Sequence, residues 1–173
     1  STLPAADFPS VEGGVGSVSL ALDQSLVKQL IDSTAFAMAQ QDVRYYLNGL
    51  YVEVLGGRLR VVATDGHRLA LATGPQRVDA EDIGVIIPRK GVLELARLLD
   101  GDAPLQLAIG SNHIQAANEQ FTFTSKLVDG KFPDYERVIP KNSDKSVIGD
   151  RAELRHAFTR TAILSNEKYR GVR

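Results

Sequence analysis

Cysteine is absent from all 173 residues, which excludes disulfides, thiolate nucleophiles and cysteine-held metals and agrees with a reducing compartment. No apolar run approaches the roughly 20 residues that a membrane-spanning helix needs. The opening stretch Ser1–Pro9 has neither a basic start nor an apolar centre, so it is no signal peptide. It also lacks an initiator methionine, which points to a chain that begins inside something larger. A dominant charge is missing too: 20 Lys+Arg against 21 Asp+Glu leave a formal net charge of -1. Nucleic-acid contact, if any, therefore has to come from a local patch and not from the whole surface.

The familiar catalytic signatures are also lacking. There is no Gly-x-Ser-x-Gly, no His-Glu-x-x-His, no phosphate-binding Gly-x-x-x-x-Gly-Lys and no dinucleotide fingerprint after a strand. Gly13-Gly14-Val15-Gly16 precedes a strand instead of joining strand to helix, and reads as a connector. Of His67, His113 and His156, only His67 lies near a carboxylate, in Thr64-Asp65-Gly66-His67-Arg68. Asp65 and His67 could share a proton or a metal, but Asp-Gly is also a strong hairpin signal.

What is present is ordinary globular composition, 43% hydrophobic and 24% charged, enough for one domain with a proper core and parts of its neighbours. A repeat organises it. Ser1, Leu3, Phe8 and Pro9 recur with the same spacing as Ser125, Leu127, Phe132 and Pro133. Asp23-Gln24-Ser25-Leu26 is echoed by Asp150-Arg151-Ala152-Glu153-Leu154, and Tyr46-Leu47-Asn48-Gly49 by Tyr169-Arg170-Gly171-Val172. On this reading residues 1–10 end one domain, 11–140 form a complete one, 141–147 link, and 148–173 begin a third.

Inside the complete unit, 17–22 alternates as a strand, Asp23 is a candidate N-cap, and Leu26 to Met38 carry apolar residues at helical spacing. Strands are expected at 50–55, 59–64 and 68–73, joined by tight turns at Gly56-Gly57 and Asp65-Gly66. A strand at 85–87 leads through Pro88 into a second helix that Gly101 stops, followed by strands at 105–109, 113–117 and 121–127. The order β-α-β-β-β occurs twice, so the fold class is α+β with antiparallel meanders and not a doubly wound parallel sheet.

Two constellations stand out as binding chemistry. Arg89 and Lys90 follow Pro88 at a helix N-terminus, where the dipole favours anions. Gln41, Arg44, Tyr45 and Tyr46 lie where a helix gives way to a polar loop, a set suited to phosphate contact and base stacking. A solvated basic pair and a tyrosine covering a sheet edge are the plainer readings of the same residues.

Val43–Gly49, Ala63–Ala70, Pro88–Gly91 and Ser125–Tyr135 closely resemble the middle domain of the bacterial DNA polymerase III β subunit, the sliding-clamp family. Ala162–Arg173 resembles the start of that family's third domain, and Ser1–Pro9 the end of its first. The resemblance implies the DNA clamp fold, a duplicated β-α-β-β-β unit with two helices on one face of antiparallel sheets. It implies a bacterial, cytoplasmic, nucleoid-associated processivity factor without catalytic activity or cofactor, metal or membrane, a homodimeric ring around duplex and template DNA. Lys28, Gln41, Tyr45, Tyr46, Arg89 and Lys90 match its DNA-contacting positions. Leu47, Thr64, Gly66, His67, Arg68, Leu69, Pro133, Arg137 and Val138 match its pocket for short Gln/Leu/Phe peptides of the polymerase α subunit, clamp loader, other polymerases and repair proteins. Ring closure in that family uses the first and third domains, so the segment in hand is not expected to dimerise, and α-helical residues 151–164 should expose Leu154, Phe158 and Ile163. The rival readings are a stand-alone peptide-binding module and a phosphate hydrolase centred on Asp65 and His67, with Arg68.

Overall fold

The computed structural model describes Pro4 and residues 18–165, and divides into two compact units, Ser1–Pro133 and Asp134–Arg173. The domain ends expected within 1–10 and 166–173, and the echoes that rest on them, lie outside the described residues.

The first unit runs β1 (Val18–Asp23), α1 (Gln24–Asp32), β2 (Gly49–Leu55), β3 (Arg58–Thr64), β4 (Leu69–Arg77), β5 (Ile83–Pro88), α2 (Arg89–Leu98), β6 (Pro104–Ile109), β7 (His113–Ala117) and β8 (Thr122–Lys126). The expected β-α-β-β-β order is present twice, but the halves are interlaced. The sheets are ordered β1-β6-β7-β8 and β4-β3-β2-β5, every pairing antiparallel. The first strand of each half therefore completes the other half's meander. This exchange ties the repeats into one core, because neither sheet can form from one half alone.

Alternation sets the register. Val18, Leu20 and Leu22 of β1 are buried, and they lie directly opposite Ile109, Leu107 and Leu105 of β6. In the second sheet Val52 and Val54 face Val61 and Leu59. In the first sheet a one-residue slip would turn Val18, Leu20 and Leu22 to the exposed side, so burial fixes that pairing. Val27, Leu30 and Ile31 of α1 and Val92 and Leu95 of α2 complete the same cluster. Lys28 Nζ of α1 donates to the Ala96 carbonyl of α2 at 3.2 Å, so the helices lie side by side. The outer face of the second sheet has its own cover. Phe132 stacks on Tyr51 with ring centroids 4.7 Å apart, and Val128 N donates to the Ile86 carbonyl at 2.9 Å.

Three local expectations change. Apolar spacing carries the first helix to Met38, but α1 ends at Asp32 and a 3₁₀ turn follows at Ala35–Ala37. The break comes at Thr34, whose backbone N–H goes to the Ile31 carbonyl at 3.0 Å in a 3₁₀ bond, while the Ser33 and Thr34 hydroxyls donate back to the Gln29 and Leu30 carbonyls. Gly101 does not stop the second helix, which ends at Leu98 with Leu99 in extended conformation. Asp65-Gly66 is not a two-residue hairpin. Thr64 pairs with Leu69, so the loop contains Asp65, Gly66, His67 and Arg68. Gly56-Gly57 is the tight turn expected, with φ of 57° and 72°, values that favour glycine at both positions.

The second unit contains a 3₁₀ turn at Tyr135–Arg137 and α3 (Arg151–Ala162). Asp150 caps α3, accepting from Ala152 N at 2.8 Å and Glu153 N at 2.9 Å. Leu154, Phe158 and Ile163 are exposed, as the apolar pattern of an unpaired helix led us to expect.

Candidate functional site

The β3–β4 loop is built around Asp65. Its Oδ1 accepts from the backbone N–H of His67 at 2.9 Å and of Arg68 at 3.0 Å, and Oδ2 accepts from Arg68 Nε at 3.1 Å. Burial pushes the Asp65 carboxyl up, but those two backbone N–H donors and the Arg68 guanidinium outweigh it and hold the group below its ordinary value. Thr64 Oγ1 donates to the Arg68 carbonyl at 2.7 Å and accepts from Gly66 N at 3.1 Å, closing the loop from its base. Gly66 sits at φ 87°, where an added Cβ would come within 2.9 Å of Arg44 Nη1. The loop is thus a rigid polar knuckle, and its Asp is spent on turn geometry. No group of three or more metal-ligating side chains exists among the described residues.

Around this knuckle Thr64 and Leu69 are half-buried, while Gly66, His67 and Arg68 are exposed. Arg68 also lies over the Phe36 ring, 5.6 Å from its centroid, and Phe36 is itself 60% exposed. Leu47 is buried and supports the neighbouring 3₁₀ turn Tyr45–Leu47 from within. Pro133 is exposed at the end of the first unit. Arg137 and Val138 belong to the second, where Arg137 pairs with Asp134 at 2.8 Å and Val138 is 68% exposed.

Of the six residues expected to meet DNA, Gln41, Arg89 and Lys90 are gathered, while Tyr45, Tyr46 and Lys28 are not part of that lining, the tyrosines lying against Gly130. Gln41, Arg89 and Lys90 line one open groove of about 450 Å³ with Asn48, Glu94 and Arg97. The groove lies along the first turns of α2, which Pro88 opens by occupying the N-cap with φ already near the helical value. Gln41 has φ 56°, a left-handed backbone that turns the chain out of the helical region. Tyr45 is exposed and meets Tyr46 edge-to-face at 5.8 Å. Lys28 is less free than its sequence position suggests: besides the Ala96 carbonyl it pairs with Asp32 at 3.6 Å.

Arg44, noted in sequence only as a phosphate-binding candidate beside the tyrosines, proves to be the best-anchored cation of the region. Its Nε and Nη2 grip Asp42 Oδ1 and Oδ2 at 3.0 and 2.8 Å, and Nη2 also donates to the Asp65 carbonyl at 3.3 Å. Hydrogen bonds from the Arg44 side chain, and then its backbone N–H, draw the Asp42 carboxyl down to about 2. Asp42 in sequence offered only one signal, its spacing of two residues from Arg44, which suits a turn.

The first unit thus combines two exchanged antiparallel meanders, a pair of helices, an open groove that carries Arg89 and Lys90, and a polar knuckle at the β3–β4 loop. Residues 21–134 match the family described as DNA polymerase III beta subunit, central domain, and residues 136–173 match its C-terminal domain. The beta sliding clamp of Pseudomonas aeruginosa is 62% identical over 175 residues, covering 100% of this chain and 48% of that protein. The Escherichia coli K12 beta sliding clamp is 57% identical over 174 residues, again covering 100% and 48%. A crystal structure of the Pseudomonas aeruginosa polymerase III subunit beta superposes with TM-score 0.93 at 61% identity, covering 98% of this chain and 47% of that one. A sliding clamp from the same organism bound to griselimycin gives TM-score 0.92 at 62% identity over the same shares. The chain belongs to the DNA polymerase III beta subunit family, and it spans about half the length of the curated relatives it matches.

Proposed function

We propose that this chain is the central part of a sliding clamp, a non-catalytic processivity factor that surrounds duplex DNA and tethers polymerases, a clamp loader and repair proteins by short peptides. The gathering of Gln41, Arg89 and Lys90 in one open groove, on a chain of net charge -1, carries this reading. A local cationic groove attracts phosphates weakly and without reading sequence, which is what movement along DNA requires. Tyr45 and Tyr46, a few residues on from Gln41 in the chain, offer stacking faces for template bases. Leu69, His67 and Arg68 offer the second surface, an apolar strand end beside polar donors, for a peptide bearing Leu or Phe and Gln; the family resemblance adds Leu47, Thr64, Gly66, Pro133, Arg137 and Val138 as peptide-contacting candidates. A related clamp binds griselimycin, which supports a ligand-binding surface in this family. A hydrolase at Asp65 is disfavoured because that carboxylate already accepts three hydrogen bonds from its own loop.

The test is retention of the full-length subunit on circular DNA. Reversing Arg89 and Lys90 to Glu should shorten retention and flatten the slope of log affinity against log salt by roughly 2, about 0.9 for each phosphate no longer neutralised. Unchanged retention and slope would make both side chains mere solvated surface.

A further inference from the structure

The core of the first unit is not completely filled. Between the two sheets and the two helices lies a cavity with about 30 Å³ of space in which the centre of a water molecule could lie. Fourteen side chains line it, and every one is Leu, Ile or Val. Leu20 and Leu107 come from one sheet, Val52 and Val61 from the other, Val27 from α1 and Leu95 from α2. All of the lining residues are buried. Val52 and Leu107 sit on strands flanked by others on both sides, yet they keep 8% and 6% of their surface, whereas Leu105 and Ile109 of the same β6 keep none. Residual area at the centre of a core is what side chains beside a void show, and protein interiors seldom leave voids larger than a water.

Sequence and topology together keep the cavity open. Val27, Val52, Val61 and Val92 line it, each one methylene shorter than Ile. The walls are pinned, β1 by its ladder with β6, β5 by its ladder with β2, and α1 to α2 by Lys28 and the Ala96 carbonyl. Because β1 and β5 are exchanged, the cavity lies where the two halves meet and neither half can repack alone. Its space exceeds the roughly 10–15 Å³ by this measure that a water needs, but no polar group lines it, so a water there would forfeit its hydrogen bonds. A small apolar guest has none to lose and gains dispersion contacts on every side. We propose that this cavity is a dry binding site for a monatomic or diatomic apolar guest, of the size of xenon or dioxygen. The guest enters by transient opening of the core. Nothing in the cavity depends on what the outer surfaces bind.

The experiment uses xenon itself as the probe, on crystals of the full-length subunit held under xenon pressure. Wild type should show an anomalous peak in contact with Leu20, Val52 and Leu95, about 4 Å from their side-chain carbons. Without xenon the same place should hold no water density. Two variants fill the space from opposite walls, Val92→Ile from α2 and Val61→Ile from β3. In each the peak should fall to noise while the thermal midpoint stays at or above that of wild type, since the added methylene enters a void and not a neighbour. In solution, the xenon-129 shift per unit of protein should be smaller for both variants than for wild type, any contribution from other parts of the subunit cancelling in the difference. A wild-type crystal without the peak overturns the proposal, as does ordered water in the cavity. A peak that persists unchanged in both variants overturns it too. So does loss of folding in both, which would mean that no room exists beside Val61 and Val92.

Discussion

Helices α1 and α3 occupy matching places in the repeat, each following an aspartate, yet opposite forces hold them. Asp23 makes no side-chain bond to α1, whose Val27, Leu30 and Ile31 are buried in the core. Asp150 caps α3 with two hydrogen bonds, Glu153 and Arg160 complement the dipole at its two ends, and none of its residues is buried. Packing makes a cap dispensable in α1; in α3, part of a matched C-terminal domain of which this chain holds residues 136–173, the cap and the end charges are the devices in view. The same sequence signal therefore has different energetic weight according to what lies against the helix.

Core truncation should break the comparison most. Leu105→Ala, at a site 0% exposed and paired with Leu22, should cost the first unit about 3 kcal/mol. Leu154→Ala in α3 should stay within about 0.5 kcal/mol, both read by urea unfolding. The capping pair comes next. Asp150→Ala should cost α3 about 1 kcal/mol of helix stability by circular dichroism, whereas Asp23→Ala should change the first unit by less than about 0.5 kcal/mol. Equal losses at the two aspartates would contradict the distinction.

The third test concerns Gln24, the first residue of α1, which is 1% exposed with both amide atoms lacking a hydrogen-bond partner. Gln24→Met keeps the length and removes that unmet demand, and should raise stability by about 1 kcal/mol. A loss of the same size would show that the amide is satisfied after all. The smallest effect is in acid. The fork of Arg44 lowers Asp42 from 3.8 to about 2, so its contribution is fully present above pH 3.8 and is lost as pH falls through about 2. Carboxyl carbon-13 titration should place the Asp42 midpoint well below 3.8, and Arg44→Lys should bring it back towards that value.

Most of the fold was legible because it is written in period-two alternation and glycine turns. Val18, Leu20 and Leu22 announce their strand, and Gly56-Gly57 its hairpin. What could not be read was the exchange of β1 and β5 between halves, since alternation says which face is buried but not which neighbour pairs. At Thr34 the backbone turns to a 3₁₀ bond with Ile31 and α1 ends early, an event that apolar spacing alone does not report. For the candidate surfaces, the basic pair at Arg89 and the tyrosines were visible as residue types. Their connection was not. Arg44, Asp42, Asn48 and Asp65 form one network only because the β3–β4 loop comes back beside residues 42–48, a contact between segments more than 20 positions apart. Lys28, a surface cation by pattern, also reaches the neighbouring helix through Nζ, a contact between helices that the pattern does not report.

The proposed peptide surface is the part of the account most open to a single decisive measurement. In the full-length subunit, a labelled Gln-Leu-Ser-Leu-Phe peptide should bind wild type with a dissociation constant on the order of micromolar, since little area is buried and the peptide has to be ordered. His67→Ala and Arg137→Ala should each weaken it several-fold while the thermal midpoint stays unchanged, because both side chains are exposed. Equal affinities for wild type and the two variants would remove the site and leave the chain's resemblance to a clamp without its tether.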